Sequence, residues 1–142
     1  MSIRTLLVAR LKEQVPLLNG QVFGTVDFEA ALMGNLKVNS AFVYRDNVRS
    51  EPLSDTNTAR QEQITKYSIV VITKNVKDNG EQDSADVNDE ICAQIRAAIM
   101  GWVVDGSPFE HVSGKAQLMR NMLLWEEIYS HRTTYRQPYI YS

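Results

Sequence analysis

Long apolar runs are missing from this chain of 142 residues. No segment reaches the ~18 consecutive apolar residues that a membrane span needs. Cysteine is nearly missing as well. Cys92 stands alone, so no intrachain disulfide can form. It lies within an apolar helical stretch, where a free cysteine behaves as a small buried hydrophobe, and nothing basic clearly flanks it to mark a reactive thiol. An excess of one charge sign is missing too: 15 Lys and Arg stand against 17 Asp and Glu, a formal net charge of -2. Such a chain has no long-range field for nucleic acid, although a fold could gather Arg45, Arg49 and Arg60 into a local basic patch. The N-terminus runs into a periodic helix rather than an apolar signal core. The expectation is synthesis in a reducing, intracellular compartment.

Residues that carry chemistry are equally sparse. The 2 histidines, His111 and His131, each fall inside an expected strand. Neither sits in a spaced His/Cys/carboxylate cluster of the kind that holds a metal, so both read as ordinary strand histidines. With 7 glycines there is no G-x-G-x-x-G, no G-x-x-x-x-G-K-[ST] and no G-x-S-x-G. Gly20 and Gly24 are too few for a phosphate cradle. Ser113-Gly114-Lys115 looks like part of a phosphate loop only superficially, because no glycine run precedes it and no helix follows. The acidic turn Lys77 to Ser84, with Asp86, Asp89 and Glu90 after it, does not fit the spaced ligands of a calcium loop. Glu126 and Glu127 cannot share one face of a strand, because adjacent strand residues point oppositely. The sequence therefore points away from an enzyme and offers no cofactor or metal site.

What is present is a well-patterned globular chain, 44% hydrophobic and 23% charged. Its length suits a single domain over residues 1–142, since domains commonly run roughly 100–150 residues. A chain of this size buries roughly two-thirds of its unfolded surface and needs no disulfide or metal staple. The pattern centres on an apolar strand, Gln61 to Val76, and an amphipathic helix, Ser84 to Gly101. In the strand, Tyr67, Ile69 and Val71 point one way and Ser68, Val70 and Ile72 the other. Both faces are apolar at the centre, which predicts a central strand with something packed on each side. In the helix, Val87, Ile91, Ile95, Ala98 and Trp102 form one stripe at helical spacing. Asp83 or Ser84 is its expected cap, and Asp86, Asp89 and Glu90 complement its dipole.

The remaining elements follow from periodicity and punctuation. Ile3, Leu6, Leu7 and Leu11 predict a helix over 2–14, capped by Ser2 and ended before Pro16. Residues 15–27 read as a loop, and Asp27 as the cap of a short helix over 28–33. Ser40 to Arg45 reads as a short strand. The stretch from Asp46 to about Arg60 has few apolar anchors and reads as a long exposed arm or loop; connections this long are often functional. After a turn at Gly106 and Pro108, two runs, 109–119 and 123–135, predict a hairpin. Leu123, Trp125, Tyr129 and Tyr135 share one face of the second run. Leu124, Glu126, Ile128, Ser130, Arg132 and Thr134 share the other. Residues 137–142 form a tail with Tyr139, Ile140 and Tyr141 as anchors, which is either disordered or docks on a neighbour.

Four segments in this order resemble the tail terminator proteins of long-tailed bacteriophages, in particular the branch of Mu-like phages and prophages. They are Leu6-Leu7-Val8-Ala9-Arg10-Leu11-Lys12 in the opening helix and the stretch from Asn57 to Val71, in which Arg60-Gln61 precedes the apolar run. The others are Ile95 to Trp102 at the helix end, and Leu124-Trp125-Glu126-Glu127 with Thr133-Thr134-Tyr135-Arg136 in the closing hairpin. The turn before Leu123 lacks the Asp-Gly associated with relatives.

The resemblance implies an α+β fold: about four strands in a mixed or antiparallel sheet, with two main helices packed on it. It implies a structural virion protein that forms a ring, typically hexameric, through which DNA can pass. The ring caps the tail tube, stops its polymerisation and offers the head a joining surface. The implied partners are further copies of the chain, the tail tube protein, head–tail connector or neck proteins and, where the tail is contractile, the sheath; neither a membrane nor specific nucleic acid binding is implied. The place is the neck of the virion tail, with synthesis in the host bacterial cytoplasm. A head-to-tail ring needs two different complementary surfaces. The candidates are Arg49, Asp55 and Arg60 in the arm and Glu126, Arg132 and Arg136 on the polar strand face. The nearest rival is another neck or head-completion protein. A more distant one is a small nucleic-acid-binding domain using Trp125 and Tyr129 as a stacking platform.

Overall fold

A computed structural model describes residues 2–24, 38–52, 58–74, 81–119 and 122–142. The expected short helix over 28–33, its Asp27 cap and candidate Asp55 lie outside these residues. Helix α1 spans Ile3–Gln14, and the Ser2 side chain caps it by accepting the Thr5 amide at 3.1 Å. A 3-10 turn, Pro16–Leu18, ends the helical path where proline removes the next amide donor. The strands are β1 (Val22–Phe23), β2 (Ser40–Pro52), β3 (Thr58–Lys74), β4 (Val103–Val104), β5 (Ser107–Pro108), β6 (Glu110–Met119) and β7 (Met122–Pro138). Helix α2 spans Glu81–Ile99 between β3 and β4.

The architecture is α+β. The main sheet has five strands in the order β1-β2-β3-β7-β6, and β4 and β5 form a separate two-stranded sheet. β1 runs parallel to β2, and the other neighbours in the main sheet are antiparallel. The expectation of about four strands is corrected to five. The extra strand, β1, is two residues long and lies inside the stretch read as a loop, too short to show alternation. The β4–β5 turn is Asp105-Gly106, with φ of 52° and 78°. Two successive positive φ values are what a tight hairpin turn of this hand requires. Helix α2 begins at Glu81, so Asp83 and Ser84 lie inside its first turns rather than capping it.

β3 is the centre of the sheet, as its two apolar faces imply. Tyr67, Ile69 and Val71 join Leu7, Leu11, Ile91, Ile95 and Ile99 in the main core. Each fully buried aliphatic side chain contributes about 1.5–3 kcal/mol relative to exposure. Val87 and Trp102, the ends of the expected helix stripe, pack against this core half-buried. α1 and α2 therefore lie on one face, and α1 does not cover the other. That other face carries a second cluster of Phe42, Val70, Ile72 and Leu124, flanked by Phe23, Tyr44 and Met122.

The largest departure lies at residues 46–52. The sequence reads them as irregular, yet they are strand, pairing with β3 from Asn47↔Lys66 to Pro52↔Gln61. β7 likewise continues to Pro138, opposite Thr58. The expected arm is thus a three-stranded ribbon that prolongs the sheet past its helix-covered part. Its alternation is invisible in sequence because both faces are polar.

Candidate assembly surface

The cross-strand register collects the expected interface residues. Arg60 lies directly opposite Arg136, and Glu62 pairs with Glu51 on one side and Thr134 on the other. Ile64 is flanked by Arg49 on β2 and Arg132 on β7. Alternation puts these three rows on one face, the one opposite the helices. Farther along that face, Glu126 pairs with Val70. The structure thus gathers Arg49, Arg60, Arg132, Arg136 and Glu126 on one sheet face, although sequence separates them by up to 87 positions (Arg49 to Arg136).

The ribbon part of this face reads Arg–Arg, Glu–Glu, Arg–Arg from its tip inward. Arg49 pairs with Glu51 at 3.0 Å and Arg132 with Glu62 at 2.9 Å. The Glu62 contact raises the already high Arg132 pKa further. Exposed pairs of this kind are screened by solvent and contribute little to stability. They set the charge pattern of the face without contributing much to the fold. Among the described residues of this face, four arginines stand against Glu51 and Glu62, in a chain whose overall charge is negative. Ile64 is buried between the two inner arginines, whose aliphatic stems can cover it.

Glu126 differs from the others. It is half-buried and accepts the Tyr44 hydroxyl at 2.8 Å. Burial raises the Tyr44 pKa most; the nearby Ser68 side chain offsets part of this and Glu126 adds to it. Its place is beside the second apolar cluster, not on the ribbon.

The ribbon also has open edges. β1 pairs with β2 only at Ala41 and Phe42, and β6 pairs with β7 only up to Ser130. Among the described residues, the outer sides of β2 from Val43 to Pro52 and of β7 from His131 to Pro138 have no strand partner. Open edges are ready templates for another chain. Beyond β7, Tyr139, Ile140 and Tyr141 are exposed.

The helix-bearing face of β7 holds a polar group that sequence reasoning missed. Glu127 is fully buried; its Oε1 takes Arg96 at 2.9 Å and its Oε2 takes His111 at 2.8 Å. The Arg96 pKa rises through that hydrogen bond and charge. Gly114 sits opposite Glu127. A Cβ there would lie 2.8 Å from both Glu127 Oε2 and the Trp125 ring. The glycine once noticed for its likeness to a phosphate loop is there for close packing. Cys92 lies near this group, and burial, then Glu127, push its thiol up to about 12. Such a thiol is unreactive at neutral pH. His131 is also buried, with Nε2 at 2.7 Å from the Val104 carbonyl oxygen. Trp125 and Tyr129 pack in or against the main core. The proposed stacking platform for nucleic acid is therefore corrected: Tyr129 has no exposed surface.

Comparison with known proteins agrees with the fold. A chain of a solved structure described as the virion of native gene transfer agent (GTA) particle superposes with a TM-score of 0.60 at 14% identity, over 92% of this chain and 93% of that one. No curated protein matches the sequence. The family model for the phage tail terminator protein matches residues 3–139. The chain belongs to the phage tail terminator family.

Proposed function

We propose that the chain forms a ring, typically of six copies, that caps the finished tail tube. It ends tube polymerisation by occupying the growing end and offers the head its joining surface. Family membership makes it a structural protein of the phage tail; ring formation, capping and the neck position are our reading. No bond is made or broken. The partners are further copies of the chain, the tube protein and the neck proteins, with the sheath added where the tail is contractile.

The observation that carries this is the ribbon. It extends past the helix cover, has two different open edges, and bears a basic face that adds little to stability. A head-to-tail contact needs two unlike surfaces on each copy, and the edge of β2 and the edge of β7 are unlike. Arg49, Arg60, Arg132 and Arg136 are placed to meet acidic groups of a neighbour or of the tube, as is Asp55 by its position in the chain between β2 and β3.

Native mass spectrometry and electron microscopy of the purified protein, alone and with isolated tail tubes, test the reading. Closed rings in solution or at one end of the tube are expected. A protein that stays monomeric and leaves tube ends bare overturns it.

A further inference from the structure

Where the helices give way to the ribbon, on the face opposite the arginine rows, lies a cavity of about 310 Å³ lined by Ser2, Ile3, Arg4, Arg45 and Tyr67. Arg45 and Tyr67 are direct cross-strand partners on β2 and β3. The start of α1 brings Ser2, Ile3 and Arg4 against them. Among the described residues, the cavity gathers positive charge without an internal counterion. The ion pairs among the described residues join other side chains, and neither Arg4 nor Arg45 takes part. The residue Tyr67 is only 6% exposed. Its ring meets Phe109 edge-on at 6.1 Å, yet its hydroxyl has no hydrogen-bond partner among the described residues. The ring is packed in the core while the residue lines the cavity, so the hydroxyl is a donor left available to a group bound there.

The electrostatics agree with this geometry. Burial raises the Tyr67 pKa most, while Arg45 and then Arg4 act on the hydroxyl in the opposite sense, with Tyr135 adding to the rise between them. Both cations therefore act on the same hydroxyl. α1 is 12 residues long, and its first turn adds the positive end of the helix dipole, with amide donors that have no intrahelical partner.

We propose that this cavity binds one oxyanion group, a carboxylate or a phosphate, held by the guanidinium groups of Arg45 and Arg4 and by the Tyr67 hydroxyl. Guanidinium groups suit both ligands, because their planar fork can give two parallel hydrogen bonds to either. The site does not depend on ring formation; a monomer contains all of it.

The full chain, labelled at tyrosine and at backbone nitrogen, is titrated with inorganic phosphate and separately with acetate at constant ionic strength. Nuclear magnetic resonance follows the Tyr67 ring and the amides of residues 3–5. A saturable shift with at least one ion is expected. Tighter phosphate identifies a phosphate group as the natural occupant, and tighter acetate identifies an acidic side chain. Arg45→Gln should weaken the Kd by about 10-fold or more, and Tyr67→Phe, which keeps the ring packing, by about 3- to 10-fold. Arg4→Gln, at an exposed position, is the second route should Arg45→Gln perturb the fold. Linear, non-saturating shifts with both ions, or an unchanged Kd in a folded arginine variant, overturn the proposal.

Discussion

Arg60 and Arg136 stand directly opposite each other across β3 and β7, at the outer end of the ribbon. Like charges in that position oppose strand pairing, and the proposed ring contact gives the pair a role that mutation can test. Replacing both with glutamine should lower the unfolding free energy of the isolated chain, measured in urea, by no more than about 1 kcal/mol. The same variant should lose closed rings in electron micrographs. Rings formed in full by the double variant would remove the ribbon tip from the contact.

Gly114 gives a sharper prediction about the fold. Its Cβ position is 2.8 Å from Glu127 Oε2, an atom pinned by His111, and equally close to the Trp125 ring. Gly114→Ala should destabilise the protein by about 1–3 kcal/mol, the usual cost of overpacking. Gly24→Ala has open space within 4 Å and should be near neutral in the same denaturation experiment. Equal midpoints for the two variants would contradict the packing role.

Arg96 is half exposed, but its partner Glu127 is fully buried. Arg96→Ala leaves that carboxylate with His111 alone and should cost about 2–3 kcal/mol, because a buried charge loses its principal counterion. Chemical denaturation measures it. A loss no larger than that of an exposed pair, below about 1 kcal/mol, would show that water replaces the guanidinium.

Alkaline pH should unfold the protein earlier than its acidic composition suggests. The Cys92 thiol is raised from 9.0 to about 12, by burial first, then Glu127 and Asp89. Tyr44 and Tyr67 are raised as well, chiefly by burial. A group with a native pKa above its unfolded value contributes stability that is full below the unfolded value and is lost as pH rises through the native one. For Cys92 that window runs from 9.0 to about 12. The Tm should hold up to the lower end and fall within the window, and Cys92→Ala should lessen the fall. A flat Tm across the window would contradict the burial of these groups.

Much of this fold is legible in the sequence, and the exceptions share physical causes. The β3–α2 pair was readable because Ile69, Val71, Ile91 and Ile95 repeat at the periods of strand and helix. β1 left no trace, since two residues cannot alternate. Only the β2 part of the ribbon was missed as strand, because Arg49, Ser50 and Glu51 carry no apolar face; its partner β3, not its composition, makes it strand. Glu127 reads as a surface acid in a strand, and only the fold reveals that Arg96 and His111 converge on it. A glycine inside an extended run, Gly114, was the available signal for a close approach there. The candidate arginines were nameable from the polar arm and the polar strand face, but their gathering on one face required the register.

The most direct test of the terminator role is the length of tails made without this chain. Phage carrying a deletion of its gene should yield overlong, headless tails in electron micrographs, and the intact chain supplied separately should restore uniform length and head joining. Tails of normal length accompanied by leaking heads would contradict the role and assign the chain to head completion.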